Sequence, residues 1–577
     1  MKKFKKCLCF MMSTAMAVTM LTACGGGQTA DTTAAANGGG EPGNAATEAQ
    51  QQPSGAEKES CVKVSVSETP NLDPAVATSN SENIAMVNIY DSLVYPDSSV
   101  ESGVVGRIAD SWEASADGLT YTFKLKQGIK FHNGDELTAA DVVYSMDRFL
   151  TIGEGNSYVF EGYIEPGNTE ATDDYTVVFH LSQPFGPFAN ALVRLYILNS
   201  KQVEANEDKS VTTYGDHGDY GKAWLISNDA GSGAYMVKTL VQQDYLYAEK
   251  FDDWFVGWKS DIAPEAFKLL AVSEATTIRT MMNSRELDIT DTWQSTETLD
   301  ALSKIDGVSI ATYSNTLSYH MYYNNQAAPL DDINVRRALN CLVDYETICN
   351  NILLDSTPLE GLAPASMAGY AKTSTFTYDV EKAKEYLAAS KYADNYQDYP
   401  IEIVVNSDVA DLEKIALLLQ ASAQQVGIKI EISKAPWVSL IDKMGSVETS
   451  PQITMINFGS PVGDVGTLIQ SRYSKTTQGT WNNGEWLDDE KMEADLKDAL
   501  LTVDDAERNQ KYAALQNYIV DELCPSCFLC SLAERCAYQS GYLTWSFIED
   551  TPAGEVATAA NGYTVIFSDM EYHLDKK

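Results

Sequence analysis

The clearest pattern of hydrophobic and polar positions lies in the stretch DGLTYTFKLKQGIKF, residues 117–131. Alternation with a period of two predicts a half-buried β-strand, and Gly128 predicts the turn that ends it. The apolar face of this strand is predicted to contain Leu119, Tyr121, Phe123 and Leu125, with threonine and lysine on the other face.

The residues that follow this strand change to a helical period. Val142, Val143 and Met146 recur at the spacing of one helix face. Thr138 precedes this run, and Asp141 follows Thr138 by three residues. This spacing is typical of an N-cap threonine with a capping box. The sequence therefore predicts a helix that begins just after Thr138.

Two further regions combine strand and helix patterns. FKLLAV precedes the helical stretch TTIRTMMNSRELDI, and IEIVV precedes LEKIALLLQASAQQVG, which is followed by IKIEIS. Gly427 predicts the C-terminal cap of the second helix. A succession of strand, amphipathic helix and strand is typical of parallel sheets, so the pattern predicts an α/β fold.

The first 60 residues have a different composition. Lysines, an apolar run, the sequence LTAC and three glycines predict a signal peptide over residues 1–23. This ending resembles the lipobox of bacterial lipoproteins, whose cysteine carries a lipid; the alternative is an ordinary secretory signal in which Cys24 is incidental. Residues 24–60, the lipidated Cys24 included, have almost nothing to bury and are predicted to form a disordered tether.

The net charge and the length of the chain limit the partners and the domain organisation that can be expected. The chain has 577 residues, with 41 Lys and Arg against 81 Asp and Glu, which gives a net charge of −40. Such a surface repels nucleic acid and anionic membranes. No apolar run after the tether is long enough to span a bilayer, so we expect a large body with more than one domain.

Four cysteines fall within CPSCFLCSLAERC, residues 524–536, and raise the alternatives of a metal or iron–sulfur site, a redox pair or none of these. In an extended segment Cys524 and Cys527 lie about 10 Å apart on opposite faces, too far for a disulfide without bending. Pro525 offers a bend, but a straight strand cannot bring four thiolates to one ion. Small buried side chains in a strand, without metal, are the favoured interpretation.

Signals for catalysis are weak. The five histidines lack a metal-binding spacing such as HExxH, and no nucleophile elbow of the GxSxG type is present. The pattern favours a binding protein without a cofactor, and a secreted enzyme is the remote alternative.

Residues 109–148, ADSWEASADGLTYTFKLKQGIKFHNGDELTAADVVYSMDR, closely resemble the signature block of the family 5 extracellular solute-binding proteins. The resemblance covers nearly all of the chain after the tether. Other blocks that resemble the family follow in its order: Leu72-Asp73-Pro74, Tyr90-Asp91-Ser92-Leu93, Gly231-Ser232-Gly233-Ala234-Tyr235 and Val335-Arg336-Arg337-Ala338-Leu339.

The resemblance implies a three-lobed α/β clamp similar to the periplasmic binding proteins, of class II type with an extra inserted domain. The order of the motifs assigns lobe I to residues 61–103, 228–318 and 541–577, lobe II to 104–227 and lobe III to 319–540. Ligand is then expected between lobes I and III, enclosed by closure about a two-strand hinge.

Members of this family are receptors of ABC importers, so the resemblance implies that this protein captures peptides and delivers them to a permease complex in the membrane. An oligosaccharide or a nickel chelate is the alternative cargo. We expect a monomer at the cell surface or in the periplasm, anchored to the membrane through Cys24, without a nucleic-acid partner.

The resemblance also suggests where the ligand binds. An extended peptide is expected to add as a strand near residues 455–473, where Phe458 stands for the tryptophan of peptide receptors. Their amine-binding aspartate follows three residues later, and Pro461 occupies that position here. Asp464 matches the second acid of the block and is the candidate replacement.

The predicted ligand-binding residues come from lobes I and III. Structural alternatives are a turn at Asp73, a cap at Asn324 and core positions for two tryptophans. The complete predicted set is Asp73, Tyr90, Asn324, Trp437, Phe458, Ser460, Asp464 and Trp486.

Overall fold

The structure is a computed structural model that describes residues 57–577, apart from residues 98, 101, 315, 408, 461, 553–555 and 561. The predicted signal peptide, Cys24 and most of the predicted tether therefore lie outside the described residues. Among the helices that are described, none is both long and apolar enough to cross a membrane.

Strands and helices alternate along most of the described chain. The strands are β1 (Cys61–Val66), β2 (Val94–Pro96), β3 (Val104–Gly106), β4 (Ala109–Ala114), β5 (Thr120–Leu125), β6 (Thr169–Asp173), β7 (Thr176–His180), β8 (Tyr235–Val241), β9 (Tyr245–Lys250), β10 (Ala266–Ala271), β11 (Ser309–Ser314), β12 (Ser318–Tyr323), β13 (Thr357–Pro358), β14 (Ile401–Asn406), β15 (Ile430–Ala435), β16 (Ile453–Phe458), β17 (Ser526–Ser531), β18 (Glu534–Tyr538), β19 (Leu543–Trp545), β20 (Ala557–Thr558) and β21 (Met570–Tyr572). The α-helices are α1 (Asn80–Ile89), α2 (Ala139–Ile152), α3 (Phe188–Ala191), α4 (Ser200–Glu204), α5 (Lys222–Leu225), α6 (Ala275–Asn283), α7 (Thr296–Leu302), α8 (Ile333–Cys341), α9 (Tyr345–Thr347), α10 (Val380–Ala389), α11 (Ala410–Gln424), α12 (Trp437–Lys443), α13 (Val465–Tyr473), α14 (Glu490–Leu501), α15 (Asp505–Asn517) and α16 (Ser546–Glu549).

Two small sheets lie side by side and are called the first layer below. One has the strand order β1-β10-β9-β8 with β1 and β10 parallel, and the other has the order β18-β11-β20. Ile289 joins them, because its backbone bridges Val64 of β1 and Tyr538 of β18. Segments from the beginning, middle and end of the chain therefore build one layer.

An antiparallel sheet of order β4-β5-β7-β6 contains the alternating stretch. Tyr121, Phe123 and Leu125 of β5 are buried, as the period of two predicts. Helix α2 begins directly after Thr138, whose backbone N–H donates to Asp141 Oδ2 at 2.9 Å. The predicted strand and capping box are both confirmed.

The largest sheet has six strands in the order β13-β17-β12-β16-β14-β15. Within it β14, α11 and β15 form the predicted parallel unit, and Gly427 takes the left-handed conformation (φ 85°) that its predicted capping role requires. By contrast, β12 pairs antiparallel with both β16 and β17. The six-stranded sheet is therefore mixed, with parallel pairing in the predicted strand–helix–strand unit and antiparallel pairing at β12.

The chain passes between the first layer and the six-stranded sheet at two neighbouring crossings. One crossing joins β11 to β12 between Ser314 and Ser318, and the other joins β17 to β18 between Ser531 and Glu534. The strands on either side pair with each other, β11 with β18 and β12 with β17. The two-strand hinge stays a prediction, for which these two crossings are the candidate connections.

Most of the cysteine-rich stretch forms β17 and β18, as predicted, but Cys524 precedes β17 in the left-handed conformation (φ 45°) and is not part of the strand. Cys524, Cys527, Cys530 and Cys536 are all buried. Burial raises the pKa of Cys524 to about 11 and that of Cys527 to about 12. Metal ions bind thiolates, and protonated thiols are poor ligands. The absence of bound metal remains a prediction, and stoichiometric zinc or iron in elemental analysis of the purified protein would contradict it.

Candidate ligand-binding cleft

Two adjoining cavities are together called the cleft, and the larger one lies between Ser314 and Thr558 of the first layer and Pro358 and Phe528 of the six-stranded sheet. The larger has a volume of about 1100 Å³ and the smaller about 650 Å³, and Ala365, Ser366 and Thr558 line both. Small-molecule sites commonly have volumes of roughly 300–1,000 Å³. The larger cavity also reaches both crossings, through Ser314 and residues 531–533. Its size and its position make the cleft the candidate ligand site.

Aromatic side chains form one wall of the smaller cavity. They come from Tyr95, Trp545, Phe547 and Tyr563, and the opposite wall is made by connections of the six-stranded sheet. The indole N–H of Trp545 is buried and has no acceptor among the described residues.

The loop after β16 brings its backbone to the smaller cavity. Ser460 Oγ accepts from the N–H groups of Val462 and Asp464, at 3.3 Å each, and so fixes the turn. Gly463 has φ 69°, and its carbonyl accepts from the Ala368 N–H at 2.9 Å. A side chain at Gly463 would meet no atom within 4 Å, so this part of the backbone faces open space.

Strand β16 itself is inside its sheet. It pairs with β12 along its whole length and with β14 at Ile453 and Thr454. The strand addition predicted near residues 455–473 is therefore restricted, because hydrogen bonds within the sheet already occupy much of this backbone. The loop after Phe458 is the part of the segment that lines the smaller cavity.

Two of the predicted binding residues, Trp437 and Phe458, are linked by a third aromatic residue. The ring centroid of Trp481 is 5.6 Å from that of Trp437 and 5.8 Å from that of Phe458. Both tryptophans are half-buried and Phe458 is buried. None of the three residues lines either cavity of the cleft.

Asp73 and Tyr90 line neither cavity. Both carboxylate oxygens of Asp73 accept from the Arg148 guanidinium, at 2.7 and 2.6 Å. The Tyr90 hydroxyl donates to the Leu72 carbonyl at 2.9 Å. Because protein groups already occupy these polar atoms, the contacts do not favour the predicted ligand-binding role for either residue.

Asn324 and Trp486 also bind other parts of the protein. Asn324 Nδ2 donates to the Val447 carbonyl at 3.0 Å, and Trp486 Nε1 donates to Ser450 Oγ at 2.7 Å. Neither residue lines the cleft. Trp486 is buried, in agreement with its structural alternative as a core position, whereas Asn324 caps no described helix and accepts from the Gln326 N–H in a turn.

Asp464 is fully buried and turned into the protein. Its Oδ1 accepts from the Thr467 N–H at 2.9 Å, which caps α13, and from the Tyr512 hydroxyl at 3.2 Å. Burial raises the pKa of Asp464, and the nearby Arg508 charge and these hydrogen bonds oppose the rise only in part. Pro461, which occupies the position of the family's amine-binding aspartate, lies outside the described residues.

The charged residues that line the cleft are all acidic. No lysine, arginine or histidine lines either cavity in the described part of the chain. The acidic side chains are those of Asp97, Asp344, Glu346, Asp355, Glu360 and Asp569.

The chain matches the family model described as bacterial extracellular solute-binding proteins, family 5 Middle, over residues 103–480. This match spans more than half of the sequence. The protein belongs to this family. It is 28% identical to the probable D,D-dipeptide-binding periplasmic protein DdpA of Escherichia coli (strain K12), with 78% of this chain and 84% of that protein covered. It is 24% identical to the glutathione-binding protein GsiB of Pectobacterium atrosepticum, with 81% and 87% covered.

Solved structures show the same fold. The substrate-binding protein CtaP from Listeria monocytogenes matches with a TM-score of 0.74 at 20% identity, covering 89% of this chain and 99% of that chain. The periplasmic binding protein DppA from Helicobacter pylori, in complex with the peptide STSA, matches with a TM-score of 0.68 at 21% identity, covering 90% and 98%. The predicted family and the α/β clamp fold are thereby confirmed.

Proposed function

We propose that this protein is the extracytoplasmic receptor of an ABC importer and binds peptides in the cleft. The observation that carries the proposal is the position of the cleft beside the two crossings, in a chain that belongs to a solute-binding family. The relatives are described as binding a D,D-dipeptide and glutathione, and two structural neighbours hold the peptide STSA and a nonapeptide. These ligands support a peptide as the cargo.

The protein captures its ligand without making or breaking a covalent bond. Rotation about the two crossings narrows the cleft and encloses the ligand between its walls. The aromatic wall covers apolar parts of the ligand, while the open space beside Gly463 leaves room for the ligand backbone. The ligand then passes unchanged to the membrane permease, which makes the protein a receptor and not an enzyme.

The three-lobe division is part of this proposal. The β4-β5-β7-β6 sheet falls within the residues assigned to lobe II, and β12 to β17 fall in or at the edge of those assigned to lobe III. Strand β18 pairs with β11 of the first layer although the sequence assigned it to lobe III. We therefore place the end of lobe III at the second crossing and not at residue 540.

We also propose that Cys24 carries the lipid that anchors the protein outside the cytoplasm. The support is the sequence LTAC followed by three glycines and a segment with little to bury. Cys24→Ala is expected to abolish palmitate labelling and to leave the precursor unprocessed, because the peptidase and the lipid both require the cysteine. Normal labelling of the variant in cells would contradict the anchor.

The experiment that tests the ligand class is native mass spectrometry of freshly purified protein, followed by titration calorimetry with the compound that is found. A bound peptide supports the proposal. A bound oligosaccharide or nickel complex overturns the peptide assignment but keeps the receptor function. Conversion of the bound compound into a product overturns the receptor function as well.

A second experiment concerns Asp464, the candidate for the missing amine-binding acid. Because its carboxylate binds Thr467 and Tyr512, we expect Asp464→Asn to lower the free energy of unfolding by about 1–2 kcal/mol through the weakened helix cap and hydrogen bond. Calorimetry with a free-amine peptide and its N-acetylated form should show that both dissociation constants change by the same factor. A loss of about 2–4 kcal/mol for the free-amine peptide alone would instead give Asp464 the amine-binding role predicted from the sequence.

A further inference from the structure

We propose that the larger cavity is a second subsite, which binds a cationic segment of a peptide whose other end occupies the smaller cavity. The inference rests on the proposed peptide-binding function and specifies the class of ligand. It selects peptides that are longer than a dipeptide and carry a net positive charge.

The two cavities form one continuous site. Ala365, Ser366 and Thr558 line both, so a chain that lies along the open backbone at Gly463 can continue from one cavity into the other. The larger cavity, at about 1100 Å³, has the greater volume. A dipeptide bound in the smaller cavity leaves this volume unused, whereas a longer peptide fills it.

Two of the four carboxylates in the wall of the larger cavity have cationic partners that do not line it. Asp355 pairs with Arg535 at 3.0 Å, and Glu360 pairs with Lys372 at 2.8 Å. The side chains of Glu360 and Lys372 are 62% and 65% exposed, so water screens this second pair strongly. Glu360 can therefore exchange its partner for a cation of the ligand at little cost.

The other two carboxylates lie next to each other in the chain, on either side of Tyr345. Asp344 is the N-cap of α9, and its Oδ1 accepts from the Thr347 N–H at 3.0 Å. Glu346 is exposed, and its side chain has no hydrogen bond or ion pair to the described part of the chain. The wall thus carries more negative charge than its surroundings neutralise.

Aromatic rings in the same wall provide a second kind of contact for a cation. Tyr378 is 43% exposed, and Tyr370 and Phe376 are half-buried, so ring surface faces the cavity space. The face of an aromatic ring attracts lysine and arginine side chains, and its area also covers their methylene groups. Carboxylates beside exposed rings suit a long cationic side chain better than a neutral one.

The lack of basic residues in both walls disfavours the binding of anionic ligands. A ligand carboxylate placed in the cleft would lose its hydration without gaining a cationic partner from the lining residues. It would also be repelled by the acidic side chains. A free carboxyl terminus is therefore expected to remain near the solvent.

The test is titration calorimetry of the mature full-length protein with three amidated peptides, Ala-Ala, Ala-Ala-Lys-Lys and Ala-Ala-Glu-Glu. We expect the lysine peptide to bind about tenfold or more tightly than the glutamate peptide at about 0.15 M salt. At about 1 M salt, which screens the distant charges of this acidic chain, a preference of about threefold should remain. The double variant Glu346→Gln/Glu360→Gln should bind the lysine peptide and the glutamate peptide with nearly equal affinity.

The matched control is Glu113→Gln/Glu165→Gln, which removes the same charge from exposed positions outside both cavities. It should keep the lysine preference of the wild type. Equal binding of all three peptides overturns the second subsite and leaves the proposed function in place. A lysine preference that survives in the cavity variant also overturns the subsite, because the overall charge then explains it. Failure of every peptide to bind contradicts the peptide-binding function itself.

Discussion

Replacing Asp73 by asparagine is expected to lower the free energy of unfolding by about 3–5 kcal/mol. The carboxylate accepts from Arg148 Nη1 and Nη2 at 2.7 and 2.6 Å, and both side chains are 1% exposed. The asparagine leaves a buried guanidinium charge without its counter-charge. The remaining hydrogen bond of Arg148 Nε to the Tyr220 carbonyl, at 2.7 Å, does not neutralise it. Urea unfolding followed by circular dichroism measures the effect.

The control for this variant is Asp253→Asn. This variant breaks an ion pair in which Lys130 Nζ lies 2.8 Å from Asp253 Oδ2, a distance similar to that of the buried pair. The lysine and aspartate side chains are 49% and 61% exposed. Because exposed pairs contribute little, its unfolding midpoint should equal that of the wild type. At a temperature where it is folded, the Asp73 variant should bind ligand normally. A normal midpoint combined with lost ligand binding would instead support the binding role predicted from the sequence.

Replacing Glu485 by glutamine should also cost about 3–5 kcal/mol of unfolding free energy. Glu485 and Arg472 form an ion pair whose side chains are 0% exposed. Ser526 Oγ donates to Glu485 Oε1 at 2.8 Å, and the Arg472 guanidinium lies 4.2 Å from the centroid of the Tyr322 ring. The variant keeps the shape of the side chain but leaves the arginine charge uncompensated in the interior. Urea unfolding again reports the loss.

The double variant Arg472→Met/Glu485→Leu distinguishes the charge effect from loss of packing. Arg472 Nε and Nη1 and Glu485 Oε2 have no hydrogen-bond partner among the described residues, so the pair is incompletely compensated. Removing both charges should therefore restore the midpoint to that of the wild type or raise it. A double variant as unstable as Glu485→Gln would show that packing, and not the unpaired charge, causes the loss.

Local features of this protein were predictable because the signal for each lies within a few residues. The period of two in β5 and the spacing of Thr138 and Asp141 report hydrogen bonds and burial that the segment itself imposes. The cysteine-rich stretch was assigned to a strand from its place in the family resemblance, and β17 and β18 agree with that assignment. The family resemblance then supplied the clamp fold, which the solved structures confirm.

The composition of the cleft was not predictable in the same way. Asp73 is 75 positions from Arg148, and nothing near it in the chain indicates that its carboxylate is already occupied. Trp545, which lines the smaller cavity, gave no local signal either, because a tryptophan in a core and a tryptophan in a binding wall have the same residue type. Of the eight predicted binding residues, Phe458 and Trp437 are brought into one aromatic group, and Asp464 is turned inward.

The amino-acid sequence by itself determined the strand and helix segments, the acidic charge and membership of a solute-binding family, since these depend on periodicity, composition and motifs along the chain. Only the tertiary structure decided which carboxylates line the cleft and which form buried ion pairs. The physical reason is that burial and charge pairing depend on neighbours in space. At this cleft those neighbours come from residues 95–97, 100, 103, 314, 316, 344–378, 462–463, 520–533, 545–547, 556–560 and 563–569, which the two crossings and the pairing of distant strands bring together.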